Sequence, residues 1–92
     1  MVSRKVQVVN PEGLHLRPAG MLANVSMKFT SSCTILWKEK TINCKSVINV
    51  MAAQVKCGSE VLLVCDGPDE KLALETIAEA IEEGLGEAED ET

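Results

Sequence analysis

Aromatic side chains are nearly missing from this 92-residue chain, which has one Trp, one Phe and no Tyr. Base stacking on RNA needs exposed rings, and nucleic acid attracts a basic face. With a formal net charge of −5, the chain offers neither, which argues against a small β-α-β RNA-binding domain and against any nucleic-acid partner. No apolar run approaches the roughly 20 residues that span a bilayer, so no membrane insertion is expected. The opening Met1-Val2-Ser3-Arg4-Lys5 leads into a strand pattern and not into the apolar core of a signal peptide. The expected location is the cytoplasm. Histidine occurs once, and Cys33, Cys44, Cys57 and Cys65 form no C-x-x-C pair. That spacing supplies no metal-ligand set. In a reducing compartment the cysteines read as small apolar residues, with Cys44 and Cys57 as incidental thiols.

What remains is an aliphatic chain with clear periodicity. Val6 and Val8 alternate with Lys5 and Gln7 in a first strand from about Arg4 to Val9. Asn10-Pro11-Glu12-Gly13 is a turn. A helix follows from about Leu16 to Phe29, burying Ala19, Leu22, Ala23, Ser26 and Phe29. Cys33, Ile35 and Trp37 mark a second strand, Lys38-Glu39 a hairpin, and Lys40 to Asn43 a short third strand. Ser46 suits the N-cap of a short helix holding Val47, Ile48, Val50 and Met51. Val61, Leu63 and Cys65 give a fourth strand. Asp69 is the candidate N-cap of a last helix from about Glu70 to Glu83, with Ala73, Leu74, Ile77, Ala80 and Ile81 buried and Gly84 at its C-cap. The order β-α-β-β-α-β-α predicts an α+β fold. Its form is a two-layer open-faced sandwich: a four-stranded antiparallel sheet covered on one face by helices, the other face wet. One domain is expected over 1–92, with about 87–92 as a flexible acidic tail.

The chemistry concentrates in Gly13-Leu14-His15-Leu16-Arg17-Pro18-Ala19-Gly20. Pro18 fits a first helical turn, which puts His15 at or just before the helix start. The backbone N–H groups there precede the intrahelical ladder, and the dipole is positive. Such a place favours a neutral, nucleophilic imidazole and also an anion bound to it. Arg17 is within reach of that anion. A histidine at a helix start also serves commonly as a cap or surface residue, so position alone leaves both meanings open.

The octapeptide resembles the active-site motif of the HPr family, the histidine-containing phosphocarriers of the bacterial sugar phosphotransferase system. The family pattern is Gly, aliphatic, His, small, Arg, Pro, small, small. The chain departs from it at Leu16, which adds bulk where the family keeps Ala, Thr or Ser. The closing Gly84-Leu85-Gly86-Glu87 is also similar to family members. The resemblance implies a carrier that is not itself an enzyme. His15, through Nδ1, the ring nitrogen nearer the backbone, would accept a phosphoryl group from enzyme I and pass it to enzyme IIA domains of sugar permeases. Arg17 would stabilise the phosphate, with the Leu16 and Arg17 amides binding it. No cofactor or metal is implied, and a monomer is expected.

Lys45-Ser46-Val47-Ile48-Asn49-Val50-Met51 resembles the family's second signature. In many Gram-positive members this serine is phosphorylated by an ATP-dependent kinase, which brings a serine kinase/phosphorylase and a transcriptional regulator in as partners. Gram-negative members keep the serine without the kinase. The resemblance implies partner docking through Leu16, Gly20, Met21, Asn24, Val47, Ile48 and Met51. An exposed apolar patch of that kind marks an interaction site. The competing expectation is an HPr-like paralogue acting mainly as a Ser46-regulated interaction module, or in a non-sugar phosphorelay.

Overall fold

Period-two patterning produces four strands and helical stripes produce three helices. Their order is β1 (Val2–Gln7), α1 (Leu16–Ser26), β2 (Ser32–Trp37), β3 (Lys40–Asn43), α2 (Val47–Ala53), β4 (Glu60–Asp66) and α3 (Glu70–Glu82). The computed structural model describes residues 1–86; the expected tail over 87–92 lies outside them. The strands form one antiparallel sheet in the order β1-β4-β2-β3. All three helices lie on one face, where Val6, Ile35, Ile42 and Leu63 meet Leu22, Val50, Ile77 and Ile81. The expected open-faced sandwich is the observed fold.

The opposite face is less polar than expected. It carries Lys5, Gln7 and Thr41, but also Leu36, Leu62 and Val64, with Leu36 directly opposite Leu62. Cross-strand pairing lets these aliphatic side chains shield each other.

Several boundaries differ from expectation. β1 ends at Gln7 because its partner β4 begins at Glu60, and Gln7↔Glu60 is the last rung. Val8 instead exchanges bonds with the turn before β4, through Ser59 O and Gly58 N. α1 stops at Ser26, where the backbone tightens: Lys28 N–H reaches Val25 O and Phe29 N–H reaches Ser26 O. Lys45 Nζ then holds the Phe29 carbonyl at 2.8 Å. Phe29 is half-buried, packed against the core. Cys44 is a core residue and not an incidental thiol: it is fully buried, as are Cys33 and Cys65, while Cys57 is exposed. Burial pushes the Cys44 thiol up, and the Cys65 thiol up to about 12, so these sulfurs behave as apolar groups.

Asp69 sits at the N-cap position of α3, but its side chain does not cap that helix. The carboxylate accepts from the Thr30 and Ser31 amides at 2.9 Å and from the Ser31 hydroxyl. It thereby ties the segment before β2 to the start of α3. These donors, the Ser31 hydroxyl first, hold its pKa down from 3.8 to about 2. A carboxyl whose folded pKa is lowered contributes stability above its unfolded pKa, and that contribution is lost as pH falls through the folded value. Thermal stability should therefore fall between about pH 4 and pH 2. Melting curves across that window should show a shallower acid loss in Asp69→Asn than in the parent.

Candidate functional site

The segment before α1 is held at three points. Gly13 N–H closes a turn on the Asn10 carbonyl at 2.9 Å, and Leu14 N–H reaches the Val55 carbonyl at 3.0 Å. Asn10 Nδ2 donates to the Gly84 carbonyl at 2.9 Å. Gly84 itself turns the chain after α3: Leu85 N–H bonds Ala80 O and Gly84 N–H bonds Ile81 O, a Schellman end. Leu14 is buried, anchoring the segment from below. Gly13 has φ +72°, and a Cβ there would collide with the Val55 carbonyl oxygen. Its need for glycine thus comes from the neighbouring loop and not from space around the histidine.

These restraints deliver His15 to the N-cap of α1 with extended backbone, φ −78° and ψ −167°. Its carbonyl accepts the first helical bond, from Ala19 N–H at 2.9 Å. The amides of Leu16 and Arg17 therefore precede the ladder, and Pro18 has no N–H to place. The imidazole makes no capping bond, and the first turn of α1 carries no acidic residue. The ring's side chain is 35% exposed. Arg17 and Leu16 are exposed beside it.

α1 and α2 are in contact. On their outer side Leu16, Met21, Ile48 and Met51 are exposed, Ile48 to 80%. Asn24 is also exposed and Gly20 half-buried. Val47 departs from that group: it is half-buried and packs against the core. Ser46 is the N-cap of α2, and its hydroxyl accepts from Asn49 N–H at 3.2 Å. The Asn49 side chain in turn accepts from Asn43 N–H at 2.6 Å.

One neighbour of the histidine was missed in sequence. Glu12 Oε2 lies 3.8 Å from His15 Nε2. Both line an open groove with Met51, Gln54, Val55 and Lys56. The three-residue spacing could have flagged Glu12, but only once the turn was known to fold back over the ring.

A family model described as "PTS HPr component phosphorylation site" matches residues 2–83. The phosphocarrier protein HPr of Treponema pallidum (strain Nichols) is 40% identical over 77 residues, covering 84% of this chain and 88% of that protein. The HPr-like protein Crh of Bacillus subtilis (strain 168) is 37% identical over 83 residues, 90% of this chain and 98% of that one. The crystal structure of HPr-C-His from Thermoanaerobacter tengcongensis matches with a TM-score of 0.88 at 32% identity, over 95% of this chain and 98% of that chain. Since the family match runs through every strand and through both helix starts that carry the two motifs, the chain belongs to the HPr family, the phosphocarrier component of the phosphotransferase system.

Proposed function

We propose that His15 is the group this carrier uses: it accepts a phosphoryl group from phospho-enzyme I and delivers it to enzyme IIA domains of sugar permeases. The observation that carries this is the half-exposed imidazole at the N-cap of α1, beside two amides that precede the helical ladder. Phosphoryl transfer asks for positioning and for charge stabilisation. A lone pair of the ring attacks phosphorus as the bond to the donor breaks, and the donor keeps that electron pair. The Leu16 and Arg17 amides and the Arg17 guanidinium then receive the anion. The step uses no cofactor of the carrier's own. One domain in one copy works in the cytoplasm.

Two large partners must reach the same phosphorus in turn, so the docking face has to be open. Leu16, Met21, Ile48 and Met51 supply its apolar contacts, with Gly20 and Asn24 between them. Gly20 makes this separable from stability. A Cβ at Gly20 would meet nothing within 4 Å, so Gly20→Ala should stabilise α1 by about 0.5–1 kcal/mol. The added methyl stands on the docking face, so the same variant should raise the KM for enzyme I or enzyme IIA. Denaturant midpoints and transfer kinetics read the two effects.

The test is incubation with phosphoenolpyruvate and enzyme I. The chain should take up a phosphoryl group that is labile to acid and stable to base, and then lose it to an enzyme IIA domain. A base-labile product, or no product, would overturn the assignment. A second reading gives Ser46 a regulatory role, favoured by the likeness to the HPr-like protein Crh and by the half-exposed position of Ser46 at the head of α2. In that case a serine kinase with ATP should label Ser46, and the labelled chain should accept phosphoryl groups on His15 more slowly.

A further inference from the structure

We propose that Cys33 and Cys65 are an oxidisable pair: a small peroxide joins them in a disulfide across β2 and β4, which clamps the two central strands of the sheet. The pair is defined by the sheet register and is independent of the role of His15.

Three cysteines lie on one rung of the sheet. Cys44 follows β3, and its N–H bonds the Cys33 carbonyl at 3.0 Å. Cys33 in turn stands opposite Cys65 of β4. All three are buried on the helix-covered face. The two neighbours of Cys33 are not equivalent. Its carbonyl points toward Cys44, so it faces Cys65 as a non-hydrogen-bonded pair. Side chains of antiparallel strands stand closest at such pairs, with Cβ atoms about 4.5 Å apart against about 5.5 Å at a hydrogen-bonded pair. A disulfide asks for about 3.5–4.5 Å. Little movement is needed to bridge Cys33 and Cys65, and more to bridge Cys33 and Cys44. The Cys65 thiol already bonds the Cys33 sulfur, and the Cys33 thiol donates to the Ser31 carbonyl at 3.5 Å.

The same contacts order the steps. Burial raises both thiols, Cys65 up to about 12, and the bond from Cys65 offsets part of the rise at Cys33. Cys33 is thus the first of the pair to ionise. Its thiolate attacks one peroxide oxygen and the O–O bond breaks. Hydroxide leaves and recovers the thiol proton as water, and Cys33 becomes a sulfenic acid. The Cys65 sulfur then attacks the Cys33 sulfur. The S–O bond breaks, and a second water leaves with the Cys65 proton. Two thiols are oxidised and one peroxide is reduced to two waters. Burial slows the first step and favours an oxidant little larger than water. In a reducing compartment the pair rests as two thiols packed as apolar groups.

The test uses the Cys57→Ser chain, which lacks the exposed thiol. The folded chain is incubated with hydrogen peroxide, then denatured, alkylated and digested for peptide mass mapping. The expected product joins the Cys33 and Cys65 peptides and leaves Cys44 to be alkylated. A link made within the folded sheet should raise Tm on the order of 10 °C, and dithiothreitol should reverse the rise. Cys33 and Cys65 still alkylated as free thiols, a link from Cys33 to Cys44, or a linked chain whose Tm is unchanged or lower would overturn the proposal.

Discussion

Gly13→Ala should lower stability by about 2–4 kcal/mol, combining a left-handed backbone with a blocked approach. The φ of +72° disfavours any side chain, and the new methyl would strike the Val55 carbonyl oxygen. That carbonyl is also the acceptor for Leu14 N–H, so relief by movement would break the bond that seats Leu14. For a domain of this size the loss corresponds to a fall in Tm on the order of 10–20 °C. His15 follows Leu14 directly, so the surviving folded fraction should transfer phosphoryl groups more slowly as well. Thermal melts of parent and variant measure the first effect. A change below about 0.5 kcal/mol, the size of an ordinary surface substitution, would show that the turn does not need glycine.

On the proposed role of His15 as the nucleophile, His15→Ala should abolish phosphoryl uptake from phospho-enzyme I, to less than about a thousandth of the parent rate. The fold should survive. The ring is half-exposed and makes no capping bond to α1, so stability should change by no more than about 1 kcal/mol. Loss of uptake together with an unchanged melting curve separates a chemical role from a structural one. Uptake that persists in His15→Ala would place the acceptor elsewhere in the chain.

Local features were legible in the sequence and distant ones were not. Gly13 and Pro18 bracket His15 so tightly that its place at a helix start follows from backbone constraints alone. Ser46 three residues before Asn49 likewise announces a cap, which the structure contains. The Asp69 carboxylate misled because its partners, Thr30 and Ser31, lie 39 and 38 residues away, and no local pattern encodes such a bond. Cys44 looked incidental because the short third strand reads as ending at Asn43; its N–H bonds the Cys33 carbonyl at 3.0 Å, so it carries the inward alternation of Ile42 one rung further. Val47 and Ile48 are equally apolar neighbours, yet one packs on the core and the other projects into solvent. A helix of 7 residues is too short for periodicity to assign its faces. Glu12 was hidden for the same reason as Asp69, on a smaller scale: its relation to His15 exists only after the turn closes.

The most direct test of the central claim is phosphorus and nitrogen-15 NMR on the chain after incubation with phosphoenolpyruvate and enzyme I. The account predicts a single phosphoryl group bonded to Nδ1 of His15. A phosphoryl group on Nε2, on Ser46 or on a carboxylate under those conditions would contradict it, as would a chain left unmodified.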